Sequence, residues 1–161
     1  MFACAKHLHA RLFLRAPIAC CAALLAVALS VGAIDRARAA DPTGLWLNED
    51  RDARIHLVRC GDAVCGTVVW IRQPHDPQTG KPWVDKNNRD PSRRSRPLLG
   101  ITIVSGMKPD ASPGRWVGKV YSVIYGRLFA GSLAMLGGAR LKIEGCMAPG
   151  LCQSEIWTRA D

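Results

Sequence analysis

The chain has 161 residues. Setting aside the first forty leaves room for one buried core and no more. Its formal charge of +9 falls to +5 beyond residue 39, because Lys6, Arg11, Arg15, Arg36 and Arg38 against Asp35 account for +4. That modest charge, without a stacking-rich basic motif, argues against nucleic acid as a partner and leaves a weak attraction to anionic polymers.

The N-terminal stretch reads as an address. A basic segment (Lys6, Arg11, Arg15) precedes an uncharged apolar run over residues 17–34. The small residues Ala37, Ala39 and Ala40 flank Arg38 just before Asp41. That is the layout of a secretory signal peptide over residues 1–39, cleaved after Ala39 or Ala40. The run is near the lower limit of about 17 residues for a spanning helix, so an uncleaved anchor is the rival reading. Cys20 opens the apolar run and does not follow it, which argues against a lipoprotein site. Cleavage leaves a domain over residues 40–161, periplasmic or secreted, with no membrane span.

The strands follow in chain order. Residues 43–48 begin with a Gly-x-Trp (Gly44, Trp46), and a polar turn separates them from residues 53–59, where Ile55 and Leu57 alternate with Arg54, His56 and Val58. Residues 64–72 are apolar on both faces, as a covered strand would be. Residues 73–97 hold five prolines and no apolar period. They form a long loop with one helical turn begun at Asp90 and Pro91, and loops of that length tend to be functional or disordered. Further strands are predicted at 99–107, 115–122 (a second Gly-x-Trp, Gly114 and Trp116), 127–136, 139–145 and 151–159, with Gly137 and Gly138 as a hairpin signal. Eight short strands without an amphipathic helix give an all-β antiparallel domain. Closure into an up-and-down barrel hides its edges, and a sandwich is the structural rival.

Four cysteines lie beyond the leader: Cys60, Cys65, Cys146 and Cys152. An even number in a small exported domain points to disulfides. Of three connectivities the local pairs Cys60–Cys65 and Cys146–Cys152 are favoured, since each brackets an apparent turn. Zinc is the alternative, disfavoured by spacings wider than C-x2-C and by His56 as the only nearby histidine. No cofactor is indicated.

Several separated motifs together resemble the bacterial exported family DUF2147. They are Pro42 to Trp46 (PTGLW), Cys60 to Gly66 (CGDAVCG), Ser95 to Gly100 (SRPLLG), Gly114 to Trp116 (GRW), Leu141 to Cys146 (LKIEGC), then Leu151 with Cys152 and Trp157 to Arg159 (WTR). The resemblance implies a lipocalin-like β-barrel in the bacterial envelope and brings no established activity. It departs at residues 121–129. There an acidic turn of the type Y-[DN]-P-x-[DN]-G-K-x-Y is replaced by YSVIYGRLF, which keeps Gly126 and the aromatic ends but has lost the proline and both acidic positions. A polar ligand at that turn is thereby put in doubt, and an apolar contact is favoured.

Three constellations then bear on function. In a lipocalin-like barrel, Trp46 on the first strand and Arg159 on the last would close one end through a cation–π contact; the rival is a core tryptophan and a solvated arginine. Trp83, Asp85, Asn87, Asp90, Arg93, Arg94 and Arg96 in the long loop could form a recognition patch. The blander reading, favoured here, has Asp90 capping a helical turn and Arg94 and Arg96 pairing with nearby carboxylates. Val68, Trp70, Ile101, Ile103, Val120, Leu128, Leu141 and Ile143 are the candidates for the barrel interior, which such barrels either fill or leave open for one small ligand. Catalysis has little support. His56 and His75 are the only histidines beyond the leader, and no G-x-S-x-G or H-E-x-x-H motif occurs, so a hydrolase is a distant third reading. The leading expectation is a protein that binds a small apolar or amphipathic molecule in the barrel. The alternative is an envelope interaction or structural module using the basic loop.

Overall fold

A computed structural model describes residues 41–160; the predicted leader, residues 1–39, lies outside them. Eight antiparallel strands close in sequence order into a barrel: β1 Gly44–Leu47, β2 Ala53–Cys60, β3 Ala63–Ile71, β4 Thr102–Pro109, β5 Arg115–Ser122, β6 Arg127–Met135, β7 Arg140–Ala148 and β8 Leu151–Arg159. The only helix among the described residues is a 3₁₀ turn, Pro91–Arg93, capped by the Asp90 side chain on the Ser92 amide. The strands lie close to the predicted ones. β4 starts later because the Ile101 amide donates to the Leu98 carbonyl in a turn, and β7 runs on to Ala148.

Alternation decides what the barrel encloses. On β2 the side chains of Ile55 and Leu57 are buried while His56 and Val58 are exposed, as a period of two requires. Trp46, Leu57, Val64, Met107, Trp116, Leu133, Leu141 and Trp157 fill one end of the interior. That end carries the β2–β3, β4–β5 and β6–β7 turns; the β1–β2, β3–β4, β5–β6 and β7–β8 connections surround the other. Glycines let strands approach on the inner face. Gly118 pairs with Gly131, and Gly131 with Gly145. A Cβ on Gly131 would run into Val120 and stand 2.7 Å from the Glu144 carbonyl oxygen.

Two of the predicted interior positions are corrected. Between β2 and β3 the register passes from Ile55↔Val68 to Arg54↔Trp70, so Val69 has no partner. This bulge reverses the alternation. Trp70 faces outward, 37% exposed, and the Arg54 guanidinium lies over its ring at 5.0 Å. On β6 the inward position belongs to Phe129, paired with Val120, so its neighbour Leu128, paired with Tyr121, must face out and is 55% exposed.

The wall is uneven. β1 pairs with β8 only at Trp46↔Arg159 and Leu47↔Thr158. Beyond that, the Ile156 amide donates to the Glu49 carboxylate at 2.9 Å, and residues 151–155 of β8 are exposed. The disulfides Cys60–Cys65 and Cys146–Cys152 both form, one on the β2–β3 hairpin at the filled end and the other on the β7–β8 hairpin at the open end. Loops this small give about 2 kcal/mol each by chain entropy. Replacing either pair by alanine is expected to cost about that much in urea unfolding, and replacing both should cost the sum, because the two bridges sit at opposite ends of the barrel. A double variant no less stable than either single pair would contradict this.

Candidate functional site

The open end of the barrel holds a cavity of about 720 Å³. That is within the size range of small-molecule sites. Its depth is apolar: Ile55, Val68, Ile71, Ile101, Ile103, Val120, Phe129 and Ile143 line it, above a floor at Trp157. The rim is divided. The β1–β2 turn and β8 contribute Asn48, Asp50, Asp52, Gln153, Ser154 and Glu155, whereas the β5–β6 turn contributes Val123, Ile124 and Tyr125. Glu155 pairs with Ile143 across β7–β8 and so shares its inward face. Its carboxylate accepts a 3.0 Å bond from the Trp157 indole N–H, which places a polar group at the edge of an otherwise apolar chamber.

Of the eight residues predicted for the interior, Val68, Ile101, Ile103, Val120 and Ile143 line this cavity. Leu141 is fully buried in the filled end, and Trp70 and Leu128 are outside. Sequence reasoning left Ile55, Ile71, Phe129, Gly145 and Glu155 out of the interior set. Alternation through Leu133 and Gly131 puts Phe129 inward and could have found it. Glu155 could not be found that way, because a charged residue in a strand reads as solvent-facing.

The opposite end is sealed. The Arg159 guanidinium lies 4.4 Å from the centre of the Trp46 ring and donates to the Thr43 carbonyl at 2.9 Å. The Trp46 indole N–H donates to the Pro42 carbonyl at 2.7 Å. Trp46 is fully buried.

The long loop between β3 and β4 is held beside the mouth by a buried carboxylate. Asp85, whose side chain has no exposed surface, pairs with Arg96 at 2.8 Å. It also accepts from the Tyr121 hydroxyl at 2.7 Å and from Asn88 Nδ2 at 2.6 Å. Arg96 lies over the Tyr121 ring at 5.3 Å. Burial alone would raise the Asp85 pKa. The bonds from Asn88, Tyr121 and Arg96, with the Arg96 charge, outweigh it and leave the pKa below the ordinary carboxylate value. Burial and the Asp85 carboxylate push the Tyr121 phenol up.

The other predicted loop residues have local duties. The Arg94 Nε donates to the Asn88 carbonyl at 2.9 Å, Asp90 pairs with Arg93 at 3.2 Å, Asn87 Nδ2 donates to the Val123 carbonyl at 3.2 Å, and Trp83 bonds the Gln73 carbonyl through its indole N–H while lining the mouth. His56 and His75 are both exposed. The one group with metal-ligand spacing among the described residues is Glu144 with Cys146 and Cys152, and its sulfurs are tied in the disulfide. No helix among the described residues is long and apolar enough to cross a membrane.

A solved structure described as "Protein HP1028 from the human pathogen Helicobacter pylori belongs to the lipocalin family" is similar to this barrel. The TM-score is 0.60 at 15% sequence identity, covering 75% of this chain and 84% of that one. At that identity the likeness establishes the lipocalin-like fold alone. No curated protein matches the sequence. Residues 44–159 match the family described as "Uncharacterized protein conserved in bacteria (DUF2147)", and the chain belongs to that family.

Proposed function

We propose that this protein is exported to the bacterial envelope, periplasmic or secreted, and binds one small apolar or amphipathic molecule inside the barrel. The observation that carries the reading is the cavity itself: about 720 Å³, apolar in its depth, bordered on one flank by Glu155, Gln153 and Asp52, and open at one end only. An apolar chain in the depth with a polar end at that flank would satisfy both surfaces, since burying the polar end without a partner is costly. Export is supported by the two disulfides, which persist in oxidising compartments, and by the signal-peptide layout of residues 1–39.

Gly145 supplies the test. It lines the cavity, and a Cβ placed there would meet nothing closer than the Val120 Cβ at 4.0 Å. Leucine at this position starts from that open point and extends into guest space. Gly145→Leu is expected to fold with undiminished stability and to weaken a fluorescent fatty-acid probe by about 2 kcal/mol, roughly thirtyfold. Native mass spectrometry of protein purified from the envelope should show a bound species that the variant lacks. If the parent protein carries no guest and takes up no probe, or if Gly145→Leu binds as well as the parent, the reading fails.

A further inference from the structure

The lip of the barrel mouth, part of which borders the cavity, combines two features. The first is exposed apolar surface. Ile124, at the tip of the β5–β6 turn, is 73% exposed, and Tyr125 beside it is also exposed, its ring set edge-on to Phe129 at 5.7 Å. Met147 and Leu151 are exposed on the neighbouring β7–β8 hairpin at the same end. A side chain such as Ile124 on a tight turn gains nothing from folding when it is left in water, and a contiguous apolar rim usually marks a contact surface.

The second feature is cationic. The long loop is folded directly against this turn. The Arg89 amide donates to the Gly126 carbonyl at 3.0 Å. Gly126, at φ +62°, presses so closely on the Asn87 backbone that a Cβ would collide with it. The residues flanking that contact, Lys86 and Arg89, are exposed. They form none of the ion pairs among the described residues. Residues 73–97 hold six basic and three acidic residues, a net +3 out of the +5 borne beyond residue 39. The carboxylates of Asp50, Asp52 and Glu155 stand on the other flank of the mouth and outnumber the one cation there that lines the cavity, Arg72.

We propose that this lip is a docking surface for an anionic lipid bilayer. Ile124 and Tyr125 insert at the headgroup boundary, and Lys86 and Arg89 pair with lipid phosphates. Apolar tips with adjacent cations are what reversible surface attachment requires: the apolar area gives depth, and each cation near an anionic surface adds attraction that salt screens. The acidic flank is repelled by the same surface. The barrel therefore docks tilted, with the β5–β6 side down and the cavity mouth beside the bilayer. This attachment does not depend on the cavity being occupied, so it can fail or succeed independently of the binding reading.

The test is co-sedimentation of the full mature chain with vesicles of phosphatidylcholine alone or with one part phosphatidylglycerol added to two, at low and at physiological salt. The expected result is association with the anionic vesicles that exceeds the neutral ones by about tenfold or more and falls with salt. Lys86→Glu with Arg89→Glu should abolish that preference. Ile124→Ser with Tyr125→Ser should weaken association with anionic vesicles by about tenfold, and circular dichroism should confirm that both variants keep the barrel. Equal association with neutral and anionic vesicles would overturn the proposal, as would indifference to either double substitution. Absence of vesicle association, with capture of an envelope protein that depends on Lys86 and Arg89, would overturn it in favour of a protein partner.

Discussion

Trp46→Ala is expected to lower the stability of the barrel by about 4 kcal/mol, the range for emptying a buried tryptophan site. The ring is fully buried at the filled end, where β1 pairs with β2 along Gly44–Leu47 and pairs in register with β8 at two positions only. With so few backbone bonds, the shortest strand depends on side-chain burial to stay in the wall. Alanine would remove the apolar area and the indole bond to the Pro42 carbonyl. It would also leave Arg159 over a void instead of a ring. Trp46→Phe keeps a ring under the guanidinium and is expected to cost about half as much. Urea unfolding of both variants checks the ordering, and a cost below about 1 kcal/mol for alanine would mean that the end is sealed without this residue.

Asp85→Ala is the second large effect, about 3 kcal/mol. Breaking a buried ion pair by removing one partner strands the other. Here the loss leaves Arg96 and the Tyr121 hydroxyl without their acceptor, and leaves Asn88 Nδ2 only its bond to the Tyr121 oxygen. Arg96 keeps some solvent contact, which holds the estimate at the lower end for such pairs. The loop over residues 84–98 should then lose hydrogen-exchange protection ahead of the barrel strands. The pH dependence has two limits. The Asp85 pKa lies below its ordinary 3.8, so its contribution is complete above about pH 4 and is lost as the pH falls through the folded value. The Tyr121 pKa lies above its ordinary 10.0, so its contribution is complete below about pH 10 and is lost as the pH rises through its folded value. Loop protection should therefore hold on a broad plateau and fall at both ends; in Asp85→Ala the acid limb should vanish. An acid limb of undiminished size in that variant would assign it to another carboxylate.

The barrel itself was legible because its signals are local. Ile55 and Leu57 alternate with polar neighbours, the hairpin turns carry Gly with Asp, Pro or a second Gly, and each cysteine pair brackets its own turn. What escaped depends on neighbours far away in the chain. A single unpaired residue, Val69, turned Trp70 out of the interior, and nothing within residues 64–72 announces it. Leu128 and Phe129 are both apolar, and only the register against β5 assigns the inward position to Phe129. The carboxylate that holds the loop, Asp85, meets Tyr121 across 36 residues, and a loop rich in charge offers no way to tell the one buried acid from the exposed ones. The cavity followed the same rule. Its apolar lining could be sketched from strand periodicity, whereas its acidic flank at Glu155 depends on where β8 lies against Ile143.

The unequal height of the wall has a consequence for any guest. β1 stops at Leu47, while β8 begins far above it at Leu151. Between them only the Glu49 carboxylate on the Ile156 amide bridges the step. The chamber is thus less a cup than a cup with a notched brim. A molecule seated in it would be wrapped by β3 to β7 on one side and wetted along Gln153, Ser154 and Glu155 on the other. Its length would be limited by the floor at Trp157, but its polar end would not have to shed its water to enter.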